Sequence, residues 1–446
     1  MHVKTQKFLI LGASKSGFAV AKYIFDAGGF CSVLEELDTE KAKMAKSKLL
    51  EMGVDCISRE KAEENLSFYD VIVLSPGVPI NHEIAVKAKK LGKRIIGELE
   101  FGYLQFLPPI IAVTGTNGKT TTVSIINEIL NYAGVKNKLV GNVGVPLTLK
   151  RDEIDKDCVC VVETSSFQLE SVFSFCPHIA CILNIAPDHL ERHYTMENYE
   201  FLKKRIFKNQ KESEYTVLNY DDQAVRNFFT ETSGKVVWVS TKEKVDGAYL
   251  ENGKFYFNGE YIVDESELRI KGEHNSYDAL FAIVCAKLLN IETNKIRESI
   301  KEFNGIKHRI EFVVNKNGVD FYNDSKATNT SSTINAISTM VKPTVLILGG
   351  SEKGENYHAL FEKIKQSMIK HVILTGASRY SMLDVASKLG VYNVTLTEKF
   401  DYSVKIATMF AEDGDCVLLS PACASFDCFS GFEERGDFFV KLVREL

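Results

Sequence analysis

The run Ile110-Ile111-Ala112-Val113-Thr114-Gly115-Thr116-Asn117-Gly118-Lys119-Thr120-Thr121-Thr122 concentrates more chemistry than any other stretch of the chain. Four apolar residues lead into a glycine loop, then Lys-Thr, then a helix-compatible sequence. Glycines let backbone N–H groups approach phosphate oxygens closely. A helix starting there adds positive potential, Lys119 supplies a charge for terminal phosphates, and the Thr120 hydroxyl suits Mg²⁺. The full P-loop spacing needs a glycine at position 113, where Val113 stands, so this is a shortened relative. A second polar run, Glu163-Thr164-Ser165-Ser166-Phe167-Gln168-Leu169, follows the apolar Val159–Val162. A carboxylate at the end of a buried strand beside a phosphate loop suits a metal ligand or a water-orienting group. A third run, Asn184-Ile185-Ala186-Pro187-Asp188-His189-Leu190-Glu191-Arg192-His193, offers His189 as a partner for phosphate or Mg²⁺. Glu191 stands one place too late for the H-E-x-x-H zinc pattern, so His193 reads as a core or surface histidine.

Two weaker signals flank these. Gly12-Ala13-Ser14-Lys15-Ser16-Gly17 is similar to a dinucleotide fingerprint with Ser14 in place of the middle glycine, and Glu35 ends the next strand where a ribose-binding acid would sit. That indicates a site for some nucleotide diphosphate. Asn323-Asp324-Ser325-Lys326-Ala327-Thr328-Asn329 puts a carboxylate, an ammonium, hydroxyls and amides in one loop, and Arg309 lies just before the first strand of that region. Cys158/Cys160 and Cys423/Cys428 lack the C-x₂-C spacing of structural zinc sites and read as packing residues.

These loops need strands to end at them. Short apolar runs at Phe8–Leu11, Cys31–Leu34, Val71–Leu74 and Arg94–Ile96 alternate with helix patterns, the first helix showing Phe18, Ala21, Ile24 and Phe25 on one face. Runs recur at Ile110–Val113, Val159–Val162, Ile179–Ile185, Val217-Leu218 and Val236–Val239, then at Val345–Leu348, Val372–Leu374 and Val417–Leu419. Such a rhythm predicts an α/β fold with parallel sheets. Asn258-Gly259 and Lys316-Asn317-Gly318 predict two hairpins. Asn275 is expected to cap a helix that runs to Leu289. Pro108-Pro109 marks a boundary, and a further unit starts near Gly305.

The chain has 446 residues, enough for about three domains. Its formal charge of −5 argues against a nucleic-acid partner, which favours a basic surface. No apolar run approaches the roughly 20 residues of a membrane helix. The four residues Phe8–Leu11 are too few for a signal-peptide core. Ten scattered cysteines predict reduced thiols in a cytoplasm. A monomer without nucleic-acid partners or membrane insertion is expected.

Taken together, these residues resemble the Mur ligase family, ATP-dependent amide-forming enzymes of peptidoglycan synthesis. The glycine loop is similar to the family's ATP loop, which folylpolyglutamate synthetases share. Glu163–Leu169, Asn323–Asn329, Ser420-Pro421-Ala422-Cys423-Ala424-Ser425-Phe426-Asp427 and Phe432-Glu433-Glu434-Arg435-Gly436 resemble the members that add D-glutamate. The resemblance covers the whole chain and implies three domains. Residues 1–97 would form a Rossmann-like domain for a UDP-sugar, 98–304 a central P-loop-like ATP domain, and 305–446 a Rossmann-like domain for the amino acid. It implies ATP contacts at Thr116, Asn117, Gly118, Lys119, Thr120, Thr121, Thr122, Asn275, Arg309, Asp324 and Lys326. Substrate contacts are implied at Ser14, Ser16, Glu35, Asn142, Thr164, Ser165, His189, Thr328, Lys353, Ser425 and Phe432. Catalytic roles fall on Lys119, Glu163, His189 and Lys203. Two Mg²⁺ ions are implied, one held by Thr120 and Glu163, the other by His189 and a carbamate on Lys203. The spacing Tyr199-x-x-x-Lys203-x-x-Ile206 selects Lys203 over Lys204. The chain departs from the family at Asp278, where an asparagine faces adenine, and at Lys15-Ser16 and Glu35-Glu36 around the uracil site.

The implied reaction joins D-glutamate to UDP-N-acetylmuramoyl-L-alanine through an acyl phosphate. The runner-up is another Mur-type or folylpolyglutamate-synthetase-like ligase with a different amino acid. A P-loop regulatory switch would not need two further α/β domains with polar strand-end loops, and Ser14 argues against an oxidoreductase using the N-terminal turn.

Overall fold

The computed structural model describes residues 2–270, 272–352 and 356–446, without the side chains of Glu40, Lys41 and Glu191. Lys353 therefore lies outside the described residues. The chain forms two compact units, Met1–Phe303 and Asn304–Leu446.

The first unit holds two sheets. In the five-stranded one the spatial order is Asp55–Ile57, Phe30–Leu34, Lys7–Leu11, Val71–Leu74 and Arg94–Gly97, all parallel. Chain order reverses on either side of Lys7–Leu11, so the loops after it and after Val71–Leu74 diverge and leave a crevice. The turn there depends on close approach: a Cβ on Gly17 would lie 1.8 Å from the Gly12 carbonyl oxygen. In the helix Lys15–Asp26, Gly17, Val20, Ala21 and Ile24 form the buried stripe, at i, i+3, i+4 and i+7. Phe18 is only half-buried and Phe25 is exposed. The buried stripe is thus displaced from the one expected, because small residues allow the helix to sit close to the strands.

The nine-stranded sheet runs Glu260–Asp264, Lys254–Phe257, Gly247–Glu251, Lys235–Ser240, Tyr215–Asn219, Ile179–Ile182, Ile110–Thr114, Val159–Glu163 and Asn137–Gly141. Its first three strands form antiparallel pairs around the expected Asn258-Gly259 turn, and the rest are parallel. Ile110–Thr114 lies between Ile179–Ile182 and Val159–Glu163 and is buried throughout. The glycine loop therefore emerges beside the loops that follow its two neighbours. The helices Lys119–Ala133 and Glu273–Leu288 pack together on one face. The second helix starts from Gly272, at φ +104, whose carbonyl accepts the Asn275 and Ser276 N–H groups at 2.9 and 3.2 Å. Asn275 is thus inside the first turn, not the cap expected of it.

In the second unit the order is Glu311–Lys316, Val319–Asn323, Cys416–Leu419, Thr344–Gly349, Ile369–Thr375 and Val394–Leu396. The first pair is the expected antiparallel hairpin and the others are parallel. Strands that sequence reading missed, such as Asp55–Ile57, Asn137–Gly141 and Val394–Leu396, lie at sheet edges and are mostly half-buried. An edge strand needs no continuous apolar run, so its signal is weak. Seven of the ten cysteines are buried, as packing residues would be.

Candidate active site

Gly118, at φ +83, is the N-cap of the helix Lys119–Ala133. A Cβ there would lie 2.3 Å from Asp278 Oδ1, so this glycine serves close packing as well as backbone freedom. The loop is braced by Asn184, whose backbone and side chain both reach it. Its carbonyl accepts the Thr116 N–H at 3.0 Å, its Oδ1 accepts the Asn117 N–H at 2.8 Å, and its Nδ2 donates to the Asn117 carbonyl at 3.2 Å. The Thr116 hydroxyl is held between Ala186 and the Tyr199 hydroxyl. Thr120 and Thr121 are half-buried in the first helical turn. Thr122 behaves differently. It is buried and donates to Asp278 Oδ1 at 2.9 Å, which turns its hydroxyl inward, away from the expected phosphate role.

Two lysines meet at this loop. Lys119 Nζ donates to the carbonyls of Gly115 and Thr116 at 2.8 and 2.7 Å. Lys203 Nζ donates to the same Gly115 carbonyl at 2.8 Å and to Thr114 Oγ1 at 3.2 Å. Lys203 comes from the helix Met196–Lys204 and is 2% exposed. Burial, reinforced by the Lys119 charge, pushes its pKa down to about 7, with Asp188 and Glu163 acting in the opposite direction. The neighbouring Lys204 points elsewhere and forms a surface ion pair with Glu231, both contacts at 2.8 Å.

Glu163 closes its strand in the core, only 2% exposed. Asn142 Nδ2 donates to its Oε1 at 2.7 Å, while Oε2 is enclosed and makes no hydrogen bond among the described residues. Thr164, expected to touch substrate, is fully buried and donates to the Val113 carbonyl at 3.1 Å; its hydroxyl joins strands. Ser165 caps the short helix Ser166–Leu169 in a reciprocal box with Gln168. His189 adopts φ +52 at the start of Leu190–His193, with its ring 4.9 Å from that of Phe167 and its Nε2 3.5 Å from Asp188. Among the described residues no group of three His, Cys, Asp or Glu side chains is arranged to hold a metal by itself.

His193 proves to be a core residue. Its Nε2 lies 2.9 Å from Ser166 Oγ and its Nδ1 3.6 Å from Glu170, which Arg192 grips through two nitrogens at 3.1 and 2.7 Å. Serine, histidine and glutamate stand in triad order, yet both Ser166 and His193 are 3% exposed. The network ties the turn that carries Phe167 and His189 to Glu170 and Arg192. Burial also lowers the His193 pKa, with the neighbouring positive charges adding to it against Glu170.

At the N-terminal turn, Ser14 is exposed and Ser16 half-buried. Glu35 accepts the Ala13 N–H at 2.6 Å and the Leu37 N–H at 2.8 Å, so each oxygen braces the backbone of the crevice. Lys15 Nζ donates to the Gly144 carbonyl, within two residues of Asn142.

The second unit gathers its polar residues at the carboxyl ends of its strands. Asp324 is buried, accepts from Ser420 Oγ at 2.6 Å and from the Ile310 N–H at 3.2 Å, and is pushed up to about 7 by burial. Lys326 and Thr328 are half-buried in the same loop, and Phe432 is half-buried at the start of Phe432–Glu445. Ser425 Oγ is enclosed and makes no hydrogen bond among the described residues. Sequence reading assigned no role to Arg435, yet it organises this region. It is 1% exposed and donates to Ser325 Oγ, Ser325 O, Cys423 O and Ala424 O at 2.9 to 3.3 Å. Nothing in its own surroundings in sequence signals that burial.

Three family models match the chain: a Mur ligase MurD-like N-terminal domain at residues 6–97, a Mur ligase middle domain at 113–286, and a Mur ligase glutamate ligase domain at 308–423. The UDP-N-acetylmuramoylalanine–D-glutamate ligase of Thermoanaerobacter sp. (strain X514) is 41% identical over the full length of both chains. The enzyme of that name from Caldanaerobacter subterraneus subsp. tengcongensis is 40% identical, again over the full length of both. Among solved structures, the UDP-N-acetylmuramate–alanine ligase of Thermotoga maritima matches with a TM-score of 0.58 at 19% identity, covering 99% of each chain. A pseudomurein peptide ligase type C from Methanothermus fervidus matches with a TM-score of 0.53 at 19% identity, covering 99% of this chain and 100% of that one. These two structures support the fold alone.

Proposed function

The chain belongs to the Mur ligase family, and we propose that it is the ligase that joins D-glutamate to UDP-N-acetylmuramoyl-L-alanine with ATP, in peptidoglycan precursor synthesis. The choice of amino acid rests on the full-length relatives. The observation in the structure that carries the chemistry is the convergence of Lys119 and Lys203 on one carbonyl of the glycine loop, with Glu163 at the end of the next strand.

A carboxylate resists attack by an amine because charge and resonance deactivate it. Transfer of the γ-phosphoryl group of ATP to the acceptor carboxylate forms an acyl phosphate and releases ADP. The neutral amine of D-glutamate then attacks the carbonyl, the C–N bond forms, and inorganic phosphate leaves. Lys119, at the first turn of its helix, is placed to offset charge on the transferred group. The N–H groups of Gly118, Lys119 and Thr120 add the partial charge of a helix N-terminus.

The donor set fits Mg²⁺. Glu163 Oε2 is an enclosed carboxylate oxygen with bonding capacity to spare, at the end of the strand that pairs with the one leading into the loop of Thr120. Thr120 and Glu163 would hold one ion, and His189 with a carbamate on Lys203 a second. Bound Mg²⁺ would stabilise the negative charge of the phosphoryl group in flight. Burial lowers the Lys203 pKa, which favours the neutral amine that attacks CO₂. The product is an N–C bond, an anionic carboxylate and one released proton. An unmodified ammonium would instead repel a cation.

We assign the acceptor to residues 1–97, ATP to 98–304 and the amino acid to 305–446. In that scheme Ser14, Ser16 and Asn142 face the UDP-sugar, Glu35 braces the backbone of its crevice, and Thr328, Lys353, Ser425 and Phe432 face the D-glutamate. Asn275 is assigned to the nucleotide. Phosphate release from ATP, measured with UDP-N-acetylmuramoyl-L-alanine against a panel of amino acids, tests the reading. D-glutamate is expected to give the highest kcat/KM. Preference for L-alanine, a diamino acid or a folate acceptor would overturn it.

A further inference from the structure

Asp427 is an exposed residue of the loop after Cys416–Leu419, yet it binds two other loops at once. Its backbone N–H donates to Ser351 Oγ at 3.0 Å, and Ser351 Oγ lies 3.4 Å from its Oδ1. Its Oδ2 accepts the Ala377 N–H at 3.1 Å. Ser351 follows the strand Thr344–Gly349 and Ala377 follows Ile369–Thr375. One carboxylate thus joins three strand-end loops on the side of the sheet where ligands bind.

The backbone is shaped around this arrangement. Gly376 sits at φ +69, and a Cβ there would lie 2.5 Å from Asp427 Oδ2. A Cβ on Gly350 would lie 2.2 Å from the Ala424 carbonyl oxygen and 3.0 Å from Arg435 Nη1. Two glycines therefore let these loops close tightly on Asp427 and Arg435. Ser425 lies two residues before Asp427, and its enclosed hydroxyl is the polar group of this loop with bonding capacity unused. Arg435 holds the other side of the same loop from beneath, through Cys423 O and Ala424 O. Arg435 and Asp427 thus fasten the residues on either side of Ser425 to their neighbours.

We propose that Asp427 is a positioning residue for the incoming amino acid, clipping three loops so that Ser425 meets its substrate. This rests on the assignment of D-glutamate to the second unit. Asp427 touches no reacting atom in this scheme; it acts through Ser425 and the loop of Ser351.

Steady-state kinetics of D427A, D427N and S351A test it, with each substrate varied in turn and thermal melting recorded. In D427A the KM for D-glutamate should rise about tenfold or more, because small misplacements of binding groups are costly. The KM values for ATP and the UDP-sugar should stay within about twofold, and kcat at saturating D-glutamate should fall less than kcat/KM. D427N keeps one acceptor oxygen and should lie between wild type and D427A. S351A removes the partner instead and should raise the same KM by a smaller factor. An unchanged D-glutamate KM in D427A, or a parallel rise of all three KM values with lowered melting temperature, would overturn the proposal. Failure of the wild type to use D-glutamate would instead defeat the functional assignment itself.

Discussion

The loop end of the nine-stranded sheet and the loop end of the six-stranded sheet solve one problem in different ways. Both gather polar groups beyond the carboxyl ends of parallel strands. In the first, the groups proposed for phosphate are nearly consecutive, from Gly115 to Thr121, and the start of one helix orients them. Distant side chains join them: Asn184 and Asp278 brace the segment, and Lys203 reaches the Gly115 carbonyl. In the second, no continuous segment makes the site. Loops from residues near 324, 350, 377 and 425 are held together by side chains, Arg435 buried and Asp427 exposed. Phosphate has many equivalent oxygens and suits a backbone cradle, whereas a particular amino acid needs groups placed at separate points.

Replacement of Lys119 by Ala strikes the first device hardest. The expected loss is about 10²–10³ in kcat, by analogy with removal of a group that stabilises transition-state charge. Single-turnover assays with an unchanged melting temperature would check it, and near-normal turnover would remove Lys119 from the phosphate site. Lys203→Ala should also lose most activity, with partial recovery in added formate or acetate and a missing 44-dalton adduct relative to wild type, the mass of one CO₂, as roughly expected for a small carboxylate taking the vacated ligand position.

Arg435→Leu strikes the second device. Four hydrogen bonds disappear and three buried carbonyls lose a donor, so a stability loss on the order of 3 kcal/mol is expected. Denaturant titration reads it directly. A stability loss within error would mean that the loops hold their shape without the guanidinium.

A smaller effect separates the two lysines by pH. The folded pKa of Lys203 lies near 7, below the unfolded value of 10.5. Between these values the unfolded chain binds a proton that the folded chain does not, so this group makes stability rise with pH from about 7 to 10.5. Below pH 7 both states are protonated and the burial penalty is fully present. Lys203→Met should flatten that part of the stability profile, measured without bicarbonate. Lys204→Ala should leave it intact and cost less than about 1 kcal/mol, since its pair with Glu231 is exposed. Equal profiles for the two variants would show that Lys203 is not the perturbed group.

The edge strands were not legible in the sequence alone, but the buried strands, the two hairpins and the glycine loop were. Each is written locally: apolar runs between turns, Asn258-Gly259, and Gly115 to Thr120 in one reading frame. The choice of Lys203 over Lys204 for the carbamate came from a resemblance, and in the structure one ammonium is buried against Gly115 while the other reaches the surface. Tertiary structure alone decided that Thr122 and Thr164 spend their hydroxyls inside the fold, that Glu35 braces the backbone of its crevice, and that His193 sits in the core. It alone revealed Arg435 and Asp427 as the fastenings of the second site. A hydroxyl, carboxylate or guanidinium carries the same chemistry in any sequence. Whether it faces a ligand or a carbonyl depends on strands brought together across a hundred residues, and sequence spacing does not record that distance.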